Sequence, residues 1–215
     1  GPALVVGGPH GIWPAQVACL GSSQTHVFGQ LRPSVASIIF SVVVWGHCVK
    51  MMGGLPVSKK HLTSALSKGD NCLIEMDGIA GMFSVNGPGE ERLAVARRKG
   101  VARLALETGA TVVPAFFFGQ SRAMRCAKDP TGTLERLSRM LKISLVLAWG
   151  RFFMLIPFRE PVTAALAAPI EVAKTPKPSQ EQVDQLHARI LEGITDTYNR
   201  HAAACGYGGE SLVLC

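Results

Sequence analysis

Two apolar runs that each break into a glycine turn constrain this chain more than any other feature. Ala3-Leu4-Val5-Val6-Gly7-Gly8-Pro9-His10-Gly11 and Cys72-Leu73-Ile74-Glu75-Met76-Asp77-Gly78 have one form, a short strand delivering polar side chains to a tight turn. Glu75 and Asp77 are two residues apart, so a regular strand puts them on one face. Other segments alternate with these. Gly89–Gly109 keeps a rough three-to-four apolar spacing through Leu93, Ala96 and Leu104, which predicts helix. Gly100 marks a kink or a boundary within it, and Gly109 supplies the stop. Thr111–Gly119 reads as a buried strand, with Pro114 placing it at a strand end or sheet edge. Ile143–Phe158 is a further apolar stretch, and Val162–Val172 is the last expected strand.

The final helix is the clearest single element. Ser179 and Gln182 form a capping box, and Val183, Leu186, Ile190, Ile194 and Tyr198 fall on one helical stripe. Its leader, Lys174–Pro178, is rich in Pro and Lys and is expected to be exposed. Strands alternating with helices predict an α/β class, and 215 residues suit one domain, 1–215.

Composition narrows the partners. Hydrophobic residues make up 47% and charged residues 17%, against about a quarter charged in a typical soluble domain. The net charge of +7 suits an anionic partner such as phospholipid headgroups or a phosphorylated cofactor. No basic run is interleaved with aromatics and no nucleic-acid motif occurs, so nucleic acid is not expected. The six cysteines form no C-x-x-C pair and the histidines have no zinc-ligand spacing, which predicts neither a disulfide framework nor a metal site. Gly1–Leu31 is broken by Gly and Pro and lacks a basic start, unlike a signal peptide. Ala36–Gly46 is the best membrane candidate, but a crossing needs roughly 20 apolar residues. It reads as a buried strand, a buried helix or an interfacial segment.

His10 is the leading candidate for chemistry. Its turn would hold an imidazole at the rim of a cleft, and an imidazole of ordinary pKa can take a proton from an alcohol. No G-x-S-x-G elbow, phosphate-binding Walker loop or dinucleotide fingerprint is present. His187 and Glu192 lie five residues apart on a helix, a rotation of about 140°, so they cannot serve one target. Arg92, Arg97, Arg98, Lys99 and Arg103 form the densest positive cluster. They are either a solvated helix face or a phosphate-binding edge.

Several stretches together resemble the diacylglycerol acyltransferase type 2 family, which includes monoacylglycerol and wax-alcohol acyltransferases. Arg97-Arg98-Lys99-Gly100-Val101-Ala102-Arg103-Leu104-Ala105-Leu106 and the residues on to Pro114 resemble the family's R-K-G-F-x-x-L-A-L-x-x-G-A-x-L-V-P. Gly54–Lys59 is similar to G-x-x-x-V-S-R, Pro161–Ile170 to P-[IV]-T-x-V-V-G-x-P-I, and the final helix to P-T-x-x-x-[IV]-D-x-x-H. The family's H-P-H-G is Gly8-Pro9-His10-Gly11 here, keeping the second histidine. Its G-G-x-x-E is Asp77-Gly78-Ile79-Ala80-Gly81, and its F-G-E is Phe118-Gly119-Gln120.

The resemblance implies a glycerol-phosphate-acyltransferase-like fold, a mixed sheet with flanking helices. It implies direct transfer of an acyl group from acyl-CoA to a lipid hydroxyl, foremost diacylglycerol giving triacylglycerol. His10 is then the base, with Glu75 or Asp77 as its partner in place of the glutamate missing at Gly81. Pro9, Gly11, Gly78, Arg98, Lys99 and Gly100 are the substrate-binding candidates, the basic pair holding phosphates. Acyl-CoA is a co-substrate, and no cofactor or metal is implied. The expected partners are a neutral lipid acceptor and a membrane surface, at the endoplasmic reticulum or a lipid droplet, and a homo-oligomer is left open. An N-terminal hydrophobic hairpin is expected upstream of Gly1. A decayed, lipid- or acyl-CoA-binding protein of the same fold is the alternative, on the evidence of Gly8, Gly81 and Gln120.

Overall fold

The computed structural model describes residues 1–12, 29–83, 89–127, 129, 131–141 and 145–215. Strand β1, Ala3–Gly8, is the centre around which the rest is arranged, with Leu4, Val5 and Val6 fully buried. It pairs in parallel with β4, Asn71–Glu75, on one side and with β6, Thr111–Phe118, on the other. Beyond β4 come β2, Leu31–Val35, and the two-residue β3, Leu55–Pro56, both parallel. Beyond β6 lies β9, Thr163–Leu166, which is antiparallel. The sheet order is therefore β3-β2-β4-β1-β6-β9. The expected mixed α/β sheet is what the chain forms.

Alternation along the strands sorts side chains onto two faces. Leu4, Val6, Cys72, Ile74, Val112 and Phe116 face a core closed by α2, Lys59–Ser67; α4, Gly100–Thr108; and α6, Gln180–His201. Val5, Leu73, Val113 and Phe117 face the other way. Helix α6 follows its sequence signals closely. The Ser179–Gln182 capping box is present, and all five stripe residues are buried. Burial of side chains this size contributes about 2 kcal/mol each, which makes α6 a principal clamp on the sheet. Gly109 ends α4 in the left-handed conformation at φ 74°, as its position predicted. Of Lys174–Pro178, Pro178 alone is buried.

Three expectations are corrected. The run from Gly89 is not helical until Gly100: Glu90–Leu93 is strand β5, paired in parallel with β10, Ser211–Leu214, in a separate two-stranded sheet. Backbone pairing with the C-terminal strand, far away in sequence, overrides the local helical period. Val162–Val172 is accordingly not the last strand, and it breaks after Leu166. Pro114 lies within β6 and at neither an end nor an edge. It lacks an N–H for the ladder, but its carbonyl still accepts the Ala167 N–H at 2.8 Å, which carries the contact on past β9.

Ala36–Gly46 forms a 3-10 turn, Ser37–Ser41, and the start of α1, Val43–Met51, with Val43 and Val44 exposed. Helix α3, Gly78–Phe83, follows β4, and α5, Thr133–Leu141, lies in the long excursion between β6 and β9. In that excursion β7, Arg125–Cys126, pairs with β8, Ala148–Trp149. Among the described residues no helix is long and apolar enough to cross a membrane. Cys48, Cys72, Cys126, Cys205 and Cys215 are free thiols; Cys19 lies outside the described residues.

Candidate active site

Parallel pairing brings three strand ends together. Gly7 is in register with Glu75 on one side and with Ala115 on the other. The approach to β6 is so close that a Cβ on Gly7 would lie 2.2 Å from the Ala115 carbonyl oxygen, which requires glycine. His10, three residues past Gly7, thus stands over the carboxyl ends of β4 and β6. Open α/β sheets bind their ligands at this position.

Every hydrogen-bonding group of His10 is engaged. Its Nε2 lies 3.0 Å from Glu75 Oε2. Its Nδ1 donates to the Gly11 carbonyl at 2.6 Å, and its backbone N–H donates to Asp77 Oδ2 at 2.9 Å. Gln120, from the turn after β6, donates Nε2–H to the His10 carbonyl at 3.1 Å. Glu75 and Asp77 therefore do converge on one residue, Glu75 at the ring and Asp77 at the backbone. Burial works against a charged imidazole, but the Glu75 carboxylate, through charge and hydrogen bond, and Asp77 outweigh it and raise the His10 pKa to about 9. Asp77 is 0% exposed. Burial raises its carboxyl to about 6, against the pull of His10 and its N–H. Glu75 Oε1 and Asp77 Oδ1 are buried with no hydrogen-bond partner among the described residues.

The glycine at 81 is explained by Asp77. A Cβ on Gly81 would sit 1.9 Å from Asp77 Oδ2, and a Cβ on Gly8 3.3 Å from Asp77 Oδ1 and 2.5 Å from Leu93 Cδ1. The Asp77 carboxylate occupies the space that a side chain at 81 would enter, while at 8 the nearer obstacle is Leu93. Where the family pattern has glycine at 77 and glutamate at 81, this chain has the acid at 77 and the glycine at 81. The acid is relocated within one turn. Gly11 is required too: its φ is 60°, and a Cβ there would lie 2.6 Å from the Gln120 carbonyl.

A polar shell missed in the sequence supports the Gly119–Arg122 turn. The Gly119 N–H donates to the Tyr207 hydroxyl at 2.8 Å, and Ser121 donates to buried Glu91 at 3.0 Å. Arg122 stacks 3.6 Å from the Tyr207 ring centroid and pairs with Glu210. Reading 89–109 as helix turned Glu91 into a surface charge. No sequence signal marked it, because Glu90, Glu91 and Arg92 are all charged and show no polar–apolar alternation.

The basic cluster is not one helix face. Arg92 is on β5, Arg97–Lys99 form a turn, and only Arg103 is on α4. Lys99 pairs with Asp184 at 2.9 Å and Arg103 donates to Gln180 at 3.0 Å, both on α6. Arg98 is exposed, and Gly100 opens α4 with nothing near its missing Cβ. The Lys99 and Arg103 pairings tie the turn to the first two turns of α6. His187 is buried and donates Nε2–H to the Ala96 carbonyl at 3.0 Å. A groove of about 270 Å³ along β6, β9 and α6, lined by Pro114, Ala168, Arg189 and Glu192 among others, contains no residue of the His10 cluster. Among the described residues no group of His, Cys, Asp and Glu is arranged to hold a metal.

A mixed sheet thus gathers a histidine and two acids at adjacent strand ends, where open α/β sheets bind their ligands. The 1-acyl-sn-glycerophosphate acyltransferase of Thermotoga maritima has the same fold, with a TM-score of 0.51 at 10% identity over 91% of this chain and 66% of that one. The diacylglycerol acyltransferase family model matches residues 3–214, and the chain belongs to that family. It is 30% identical to human 2-acylglycerol O-acyltransferase 3 over 92% of its length and 64% of the relative's. It is 27% identical to bovine diacylglycerol O-acyltransferase 2-like protein 6, covering 94% of this chain and 67% of that one. Bovine 2-acylglycerol O-acyltransferase 1 is 30% identical, over 96% and 67%. The chain thus spans about two thirds of the length of these relatives.

Proposed function

We propose that the chain transfers a fatty acyl group from acyl-CoA to the hydroxyl of an acylglycerol at a membrane surface. The observation that carries this reading is the His10–Glu75 contact over the strand ends, with Asp77 holding the same turn from behind. Below about pH 9 the pair rests with a proton on each ring nitrogen, one toward Gly11 and one toward Glu75. The active form is the one that has lost the Nδ1 proton, with Nε2–H kept on Glu75 and Nδ1 turned from the Gly11 carbonyl to the acceptor hydroxyl. The acceptor hydroxyl gives its proton to the imidazole as its oxygen attacks the thioester carbonyl. The C–O bond forms, the C–S bond breaks, and the proton leaves with the CoA thiolate. Glu75 orients the ring and stabilises the imidazolium formed in between. Backbone N–H groups of the glycine turns face the developing oxyanion, and Arg98 takes the phosphates of CoA. Lys99 joins it by exchanging Asp184 for phosphate.

The names of the relatives support an acceptor among mono- and diacylglycerols, and diacylglycerol is our first choice. The endoplasmic reticulum membrane and the lipid-droplet surface are where such acceptors are held. The relocated carboxylate at Asp77 argues against the decayed alternative, since Gly81 leaves the room it fills. The test is transfer from labelled oleoyl-CoA to diacylglycerol, monoacylglycerol, fatty alcohol and lysophosphatidate, with His10→Ala alongside. We expect product from an acylglycerol and a loss of about 10³-fold in the variant. Full transfer by His10→Ala would sink the reading, and no product from any acceptor by the parent chain would return the decayed alternative.

A further inference from the structure

We infer that the hairpin Gly150–Ile156 is a membrane-docking wedge that sets the His10 end of the sheet against an anionic lipid surface. The inference rests on the lipid-surface reading above and adds where and how contact is made. Phe152 and Phe153 are 75% and 89% exposed, and Met154, Leu155 and Ile156 are exposed beside them. A run of five exposed apolar residues is far outside the scattered singles of an ordinary surface.

The backbone holds them out. Arg151 N–H donates to the Ile156 carbonyl at 2.7 Å, and Met154 N–H donates to the Arg151 carbonyl at 3.1 Å. The two central residues of that turn are Phe152 and Phe153, at φ 58° and 57°. Two consecutive residues at positive φ are normally Asn or Gly, and phenylalanine is disfavoured there. Local turn chemistry is thus set aside at the point of greatest apolar exposure, which marks a functional segment.

Charge names the occupant. Arg122–Glu160 contains eight Lys and Arg against three Asp and Glu, a net +5 of the chain's +7. The Arg151 guanidinium lies 5.3 Å from the Phe152 ring centroid and Arg125 lies 5.5 Å from that of Phe158. Aromatic tips ringed by arginine match an anionic headgroup layer over acyl chains. Position completes the case. The excursion leaves β6 at Gln120, which holds the His10 carbonyl, and returns at Thr163, in register with Phe118. Its exit is tied to its entry by the Phe158 N–H, which donates to the Ala123 carbonyl at 2.8 Å. The exposed Val43–Val44 segment likewise springs from a carboxyl strand end, that of β2, and makes a second foot.

The test is flotation of the full chain with vesicles of phosphatidylcholine containing about one third phosphatidylserine. Phe152→Asn/Phe153→Gly supplies the residues the turn prefers, so the melting temperature should hold or rise while partition falls at least about tenfold. A separate arm leaves the turn alone: Arg151→Gln/Arg159→Gln should lower partition about tenfold on anionic vesicles and not on phosphatidylcholine alone. Unchanged partition in either arm overturns the proposal. So does a parent dimer that the hairpin variant dissolves while keeping its vesicle binding, which would make the wedge a contact between copies. His10→Ala should bind vesicles like the parent and form no product, so failure of the catalytic reading and failure of the wedge give different results.

Discussion

The two ends of the sheet are built on opposite terms. At the amino end the chain closes economically: the Ala3 N–H donates to Asn71 Oδ1 at 2.7 Å, and a left-handed Gly109 hands α4 to β6. Charges there are paired or solvated, as in the Arg32–Asp70 contact at the outset of β2 and β4. At the carboxyl end, Glu75 and Asp77 each keep a buried oxygen without a partner among the described residues, and apolar side chains stand in solvent. Groups poised for a substrate cannot also be fully satisfied without it. The fold is therefore stabilised by α6 and the amino-end turns, and it places its unsatisfied chemistry where it does least harm to folding.

That contrast can be broken by experiment. The largest effect expected is the roughly 10³-fold loss of transfer in His10→Ala, about 4 kcal/mol, with the fold intact. Ile194→Ala, in the buried stripe of α6, should do the reverse. It should cost about 3 kcal/mol in a denaturant titration and leave activity per folded molecule unchanged. A large loss of specific activity there would mean the two ends are coupled.

The pH dependence of stability should come from the site end. His10 is raised from 6.5 to about 9, so its contribution is complete below about pH 6.5 and is lost as pH rises through 9. The loss is on the order of 3 kcal/mol, and His10→Gln should flatten the curve over that window. Activity should run the other way, rising toward pH 9 as the ring gives up its Nδ1 proton. An activity plateau from pH 6 would show that the ring is not held protonated.

The acid relocation gives a smaller, sharper test. Asp77→Gly and Gly81→Glu should each lower transfer at least about tenfold, the first by removing the acceptor of the His10 N–H, the second by collision with Asp77. The double variant should recover part of the loss, a coupling of about 1 kcal/mol or more in a double-mutant cycle. Strict additivity would mean the two positions do not share one role. Smallest, Gly109→Ala should cost about 1–2 kcal/mol in thermal unfolding and nothing in specific activity, because a left-handed residue acquires a Cβ beside Lys174.

Legibility followed the same division. Local signals sufficed where local physics decides: the capping box, the α6 stripe, the Gly109 stop and the strand-to-glycine turns at His10 and Asp77. The sequence did not disclose β5, because its partner β10 lies more than a hundred residues away and its own apolar spacing suited a helix. Glu91 went unnoticed with it. The meaning of Gly8 and Gly81 was equally hidden, since a missing side chain signals loss until the group filling its space is seen. Periodicity also could not tell which apolar faces would be covered: the stripe of α6 is buried, while Phe152 and Phe153 are not.

The excursion from Gln120 to Val162 begins and ends beside one strand pair, Phe118 with Thr163. Its further ties, Ser121 to Glu91 and Arg122 to Glu210, lie close to where it leaves β6, so its far part can change length without shifting the register of any strand. The far part of this excursion can thus be rewritten while the histidine and its two acids stay where they are.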